Sequence, residues 1–218
     1  MAVMLRFRTA LAVAVGAGFA LPTAATATID TVPANAPEAQ PSCPASPCLA
    51  ISRTLGYQAK VGETRGLYTV PKDGRLVSWT ISLGKPGTKQ TTFFNEKLGG
   101  EASAQIAVLR PGNKLHARLV ALGEPQKLTP WFGQTVEFAL EKTLEVKKGW
   151  IIGLNVPTWA PALAVNLPGD TSWRASRKKG TCEDTQQQTS PAIGAVPQFY
   201  CLYRTARVIY SARLVSTP

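Results

Sequence analysis

The residues best suited to touch a ligand crowd into the second half of the chain. Trp131 follows Pro130, Trp159 stands between Pro157 and Pro161, and Trp173 comes shortly after Asp170. None of the three belongs to a cleanly alternating apolar run, so all are expected on loops. Indole rings on loops can form a flat platform for sugar rings, with Asn166, Asp170 and Arg174 available for hydroxyl groups. The competing and favoured reading is that they plug the open ends of the fold, because large aromatics are mostly buried in a domain of this size. Directly after Trp173, the segment SWRASRKKG gathers Arg174, Arg177, Lys178 and Lys179 close to Cys182. A basic cluster beside an aromatic on a disulfide-tied loop can hold a phosphate- or carboxylate-bearing polymer. Most such runs are solvated loop.

Catalytic chemistry finds less support. His116 is the single histidine, so any Ser-His-Asp or Cys-His site would have to run through it. It falls in a predicted strand next to Arg118, and no G-x-S-x-G elbow is present. A surface histidine is the favoured reading. Metal sites built on several histidines are excluded by composition. A glycosidase needs two carboxylates across a cleft. Glu63, Asp73, Glu96, Glu101, Asp170, Glu183 and Asp184 all fall in predicted loops or turns, and no spacing selects a pair. Asp73 is sufficiently explained as a turn residue before Gly74. No catalytic residue, metal ligand or cofactor is therefore assigned, and the balance leans away from an enzyme.

The four cysteines are expected to form disulfides. Cys43 and Cys48 bracket a short Pro-rich loop, and Cys182 and Cys201 bracket a longer polar one. Of the three pairings open to four cysteines, Cys43–Cys48 with Cys182–Cys201 is favoured because each bridge closes a local loop. The longer loop's bridge would contribute on the order of 3 kcal/mol by chain entropy. Zinc is disfavoured, since the spacing is poor and the one histidine is remote.

The elements that must position these residues read as strands. LYTVPKDGRLVSWTISL, residues 67–83, has two β-rich runs joined by Pro71-Lys72-Asp73-Gly74, with Val77, Trp79, Ile81 and Leu83 on one face. It reads as a hairpin with one face in the core. Gln105–Arg110 and Leu115–Leu122 form a second hairpin around Pro111–Lys114, with Leu115, Ala117 and Leu119 inward. Further runs lie at 50–61, 135–140, 144–146, 150–156, 199–203 and 207–215; in the last, Val208, Tyr210, Ala212 and Leu214 alternate with polar residues. The stretch from Gly84 to Gly100, which contains Phe93-Phe94, reads as a loop. No sustained 3.6-residue apolar period occurs, and Gly and Pro punctuate the chain. Short strands at regular intervals predict an all-β fold, an antiparallel β-sandwich of jelly-roll-like form, with a closed barrel as runner-up.

The N-terminus supplies an address. Arg6 and Arg8 precede the apolar run Ala10–Leu21, followed by small residues at Ala25 and Ala27, the pattern of a secretory signal peptide covering residues 1–27. The apolar run is shorter than the ~20 residues needed to span a bilayer, and no transmembrane segment is expected in the mature chain. Residues 28–48 are Pro- and Ala-rich and read as a flexible spacer, leaving 49–218 as one domain. Removing residues 1–27 takes away two arginines and no acid, so the formal charge of +11 falls to +9. A positive surface outside a cell favours anionic wall polymers, phospholipid heads or nucleic acid, although solubility alone is the favoured reading of the charge. Polysaccharide or anionic wall polymer is the partner expected, if there is one. Intracellular nucleic acid is not an expected partner.

The signal, the spacer, the run VPKDGRLVSWTISLGKPG and the later LEVKKGWIIGLNVP together resemble secreted β-sandwich proteins of high-GC, actinobacterial-type soil bacteria. The Val146–Leu154 run is also similar to a strand pair of jelly-roll and carbohydrate-binding modules. The resemblance covers most of the mature chain. It implies an extracellular β-sandwich and brings no catalytic residues with it. The favoured reading is a secreted, non-catalytic protein that binds carbohydrate or an anionic cell-surface polymer; a small polysaccharide-acting enzyme using a carboxylate pair and a purely structural surface protein are the alternatives.

Overall fold

The computed structural model describes residues 26–183 and 188–217. The expected signal peptide, all but its last two residues, lies outside the described residues. The strands are β1 (Ile29–Val32), β2 (Ile51–Val61), β3 (Thr64–Arg65), β4 (Gly74–Ser82), β5 (Ser103–Pro111), β6 (Ala117–Leu122) and β7 (Gln126–Lys127), followed by β8 (Thr135–Val146), β9 (Ile151–Ala160), β10 (Leu163–Ala164), β11 (Ser172–Ala175), β12 (Cys201–Arg204), β13 (Arg207–Val208) and β14 (Tyr210–Ser216). One helix, α1 (Thr88–Lys97), occurs among the described residues. A four-stranded sheet has the order β1-β14-β4-β8. An eight-stranded sheet runs β12-β11-β2-β9-β5-β6, with β3 beside β2 and β7 beside β5. The neighbours in both sheets pair antiparallel. The fold is an all-β, antiparallel sandwich-like arrangement with two disulfides, Cys43–Cys48 and Cys182–Cys201.

Alternation builds the core. Leu76, Trp79 and Ile81 of β4 and Tyr210, Ala212 and Leu214 of β14 face Ile106 and Val108 of β5 and Ile152, Leu154 and Val156 of β9. The unbroken apolar run in β5 has a simple cause. Its other side chains, Ala107 and Leu109, enter a second, smaller core with Leu55, Ala117, Leu119 and Phe199 on the far face of the larger sheet. A strand covered on both faces needs apolar residues at every position. The β5–β6 hairpin forms in the expected pairing, although Leu115 at its turn is exposed rather than inward.

Three expectations are corrected. Residues 67–83 do not form a hairpin. Both edges of β4 are taken, by β14 and by β8, so Leu67–Val70 crosses to the other sheet, where Val70 N donates to Trp150 O at 2.7 Å and Ile152 N to Tyr68 O at 2.9 Å. A bulge between Leu76 and Ser78 also puts Leu76 in the core and leaves Val77 half-buried. The expected loop at 84–100 contains α1. Its buried surface is only Phe94 and, one turn on, Leu98, too short a stripe for a periodicity rule; Gly99 and Gly100, at φ of +96° and +107°, end it.

The third correction concerns residues 28–48, which are not a loose spacer. β1 pairs with the edge of β14 from Ile29↔Val215 to Val32↔Ala212, and Ser42 N donates to Leu163 O at 2.9 Å. A sheet edge offers a row of unpaired backbone groups, and composition alone does not reveal that this segment satisfies one. Near its end it lies hard against Gly84, where a Cβ would come within 2.8 Å of both the Cys43 Cβ and its carbonyl oxygen. Limited proteolysis of the native protein should leave residues 29–48 intact. Gly84→Val should cost about 1–3 kcal/mol and make the segment cleavable; early cleavage in the unmutated protein would restore the spacer reading.

Candidate ligand-binding cleft

Trp173 is on a strand, not a loop. β11 lies between β2 and β12, pairing Trp173 with Gln58 on one side and Tyr203 on the other. The indole is buried and stacks on Tyr203, with ring centroids 4.5 Å apart and planes 21° from parallel. Its ring edge passes over Gly56, where a Cβ would stand 3.0 Å from Cε3 and Cζ3. Glycine at this position makes room for the stack. A sugar ring therefore has no free Trp173 face to lie on.

The basic cluster divides in two. Arg177 is only 2% exposed. Its Nη2 donates to Ser52 O at 2.7 Å, and its Nη1 to the Tyr203 hydroxyl and, at 3.5 Å, to Cys182 O. The guanidinium carbon lies 5.5 Å from the Tyr203 ring centre, and the Tyr203 hydroxyl donates to Cys182 O at 2.5 Å. Burial pushes the Tyr203 phenol above its ordinary value, with the Arg177 charge opposing. Arg174 is half-buried and donates to the Phe199 and Tyr200 carbonyls at 3.0 and 3.2 Å. Only Lys178 and Lys179 are exposed. Two of the four expected ligand cations are thus engaged in joining loops to strands.

The other two tryptophans also separate. Trp159 lies in β9, fully buried, where Nε1 donates to Asn95 Oδ1 at 3.0 Å and Gly100 O at 2.9 Å, and the ring packs on Phe94 at 4.8 Å. It anchors α1. Trp131, in a single 3-10 turn, is 38% exposed and meets Phe138 edge-on at 6.1 Å. The three rings do not assemble into a platform.

Of the seven residues expected to contact a ligand, Trp173 and Arg177 share a concavity, and Trp131, Trp159, Arg174, Lys178 and Lys179 do not line it. A cleft of about 620 Å³ is walled by Trp173, Tyr203, Arg177, Leu49, Ile51, Leu163 and Val165, with Asn166, Glu183, Arg204 and Thr205 among its polar lining. Among the described residues, Arg177 Nε and Trp173 Nε1 have no hydrogen-bond acceptor. Asn166 and Thr205 adopt φ of +58° and +53°, and Leu167 N donates to Thr205 O at 2.9 Å. Left-handed backbone at a β-branched residue costs of order 1–3 kcal/mol and clusters at functional sites. Asn166, expected from the sequence beside the tryptophans, does line the cleft, whereas Tyr203, Arg204 and Thr205 had no distinguishing signal, because their placement follows from backbone shape and distant partners.

Carboxylates are sparse at this cleft. Of those described, Glu183 alone lines it, while Glu38 and Asp170 share a separate hollow of about 230 Å³ with Arg207. A third hollow, about 420 Å³, lies between residues 31–40 and the hydroxyls of Thr80, Ser82, Thr135 and Ser211. His116 is half-buried at a turn, its Nδ1 3.1 Å from Asn113 O. Among the described residues no group of three His, Cys, Asp or Glu is placed to hold a metal ion, and no helix is long and apolar enough to cross a membrane. The chain matches no protein-family model, no curated protein and no solved structure.

Burial raises Tyr57, Tyr68, Tyr203 and Tyr210 above the ordinary phenol value of 10.0. A pKa raised on folding favours the neutral phenol, so that stability is present below pH 10 and lost as pH rises through the higher folded values. The urea midpoint should therefore fall above pH 10, and a flat alkaline limb would contradict the burial of these rings. Tyr203→Phe, which removes an acceptor from Arg177, should cost about 1–3 kcal/mol at neutral pH.

Proposed function

We propose that the protein is exported and is a non-catalytic β-sandwich that binds carbohydrate of a cell surface, an acidic saccharide polymer in particular, in the cleft walled by Trp173 and Tyr203. The observation that carries this reading is the cleft itself. Its volume suits a ligand of a few rings, and it combines an aliphatic wall, backed by the Trp173–Tyr203 stack, with Arg204 and Asn166, donors suited to carboxylate and hydroxyl groups. The pairing of all four cysteines accords with an oxidising compartment, as does the N-terminal pattern of Arg6, Arg8 and Ala25-x-Ala27. Lys178 and Lys179 at the exposed end of the same loop would add long-range attraction that salt screens.

Calorimetric titration with an oligouronate and with its neutral counterpart tests this. The acidic oligosaccharide should bind more tightly, and added salt should weaken it. Arg204→Ala should lower affinity about tenfold, the loss of one charged hydrogen bond. Equal affinity for both sugars, or no response to Arg204→Ala and Asn166→Ala, would sink the assignment. A polysaccharide-acting enzyme is the second reading, favoured only by the shared hollow of Glu38 and Asp170. Release of reducing ends that disappears in Glu38→Gln would establish it instead. A purely structural surface protein would bind neither sugar.

A further inference from the structure

The β5–β6 hairpin carries charge that the fold does not need. Arg110 and Arg118 are direct partners across the ladder and both are exposed. Like charges opposite one another on a sheet face repel. Lys114 lies in the turn between them, and no Asp or Glu occurs from Ala102 to Gly123 or anywhere after Asp184. None of the three cations takes part in an ion pair among the described residues. Arg118 Nη1 instead donates to the Gly194 carbonyl at 2.7 Å.

That bond joins the cations to an apolar neighbour. β6 ends its sheet, and the irregular segment 194–199 covers its edge. Gly194 N donates to Leu119 O at 2.8 Å, Leu119 N to Ala195 O at 2.9 Å and Phe199 N to Leu115 O at 2.9 Å. These bonds lay the segment carrying Ile193, Val196 and Tyr200 along β6 and its turn residue Leu115, and Leu115, Ile193, Val196 and Tyr200 are 40%, 61%, 46% and 37% exposed. They are half of the eight large hydrophobic side chains exposed among the described residues. Buried Leu119 and Phe199 beneath them hold the backbone in place.

We propose that this corner is a docking surface for the headgroup region of an anionic lipid bilayer. Arg110, Lys114 and Arg118 meet lipid phosphates, while Leu115, Ile193 and Val196 enter the boundary with the acyl chains and Tyr200 sits at the interface. Cations alone would serve any polyanion. Exposed aliphatic side chains set among them gain only where an apolar phase receives them. The surface uses no residue of the Trp173–Tyr203 cleft.

Vesicle sedimentation distinguishes the occupants. The protein should bind phosphatidylcholine vesicles containing phosphatidylglycerol and leave pure phosphatidylcholine vesicles in solution. Arg110→Glu with Lys114→Glu should lower partitioning by about tenfold or more, and Ile193→Ser with Val196→Ser by a similar factor. All four positions are exposed, so both double variants should keep the parental unfolding midpoint. Failure to bind either vesicle, or an Ile193→Ser/Val196→Ser variant that binds like the parent, would overturn the proposal. Equal binding of polyphosphate by the parent and by that apolar variant, without vesicle binding, would assign the corner to a soluble polyanion.

Discussion

A guanidinium that has lost nearly all contact with water must be solvated by protein, and the end of the sandwich around Arg177 is arranged to do so. Leaving such a cation without compensation costs several kcal/mol. Its acceptors come from three distant places: the Ser52 carbonyl in β2, the Tyr203 hydroxyl in β12 and the Cys182 carbonyl. The Cys182–Cys201 disulfide ties the last of these to the start of β12, so the carbonyl cannot drift from the charge it serves. Tyr203 then fixes Trp173 by stacking, and the space beside this rigid group is the cleft. The cleft is thus shaped by the need to satisfy one buried cation.

The same requirement, that backbone and charge find partners, explains how the sheets are closed. β14 is covered by β1 and β6 by the segment 194–199. Arg207, also buried, holds residues 33–40 in place through a hydrogen bond from its Nη1 to the Pro37 carbonyl. β8 remains an edge, and there the bulge opposite Leu76 and Ser78, with exposed Glu137, Glu141, Lys142 and Glu145, discourages further pairing. Irregular segments that look like loops by composition therefore act as the outer members of a β architecture.

This is also why the sequence was legible in some places and not others. Period-two alternation is a local property, so Val208, Tyr210, Ala212 and Leu214 could be read as inward-facing, and the β5–β6 hairpin followed from its turn. The short-range disulfides were legible for the same reason. The partners of β4 were not, because strand pairing depends on which edges distant strands have already filled. Phe94 and Leu98 were too few to mark a helix. Arg177 looked like part of a solvated basic loop because its principal acceptor, Ser52, lies 125 residues away, and nothing local records that burial.

Arginine and lysine behave differently throughout, which changes what the net charge means. In SWRASRKKG the arginines turn toward carbonyls and the lysines toward water. A planar, weakly hydrated guanidinium can exchange water for several fixed carbonyls, whereas a compact ammonium holds its hydration shell. Among the described residues, buried Arg177 and Arg207 both wall concavities. The formal +11 is therefore not one surface field. Part of it is internal and local, engaged with fixed carbonyls. The remainder, on residues such as Arg110, Lys114 and Lys178, is displayed to solvent and can act at a distance that ionic strength controls.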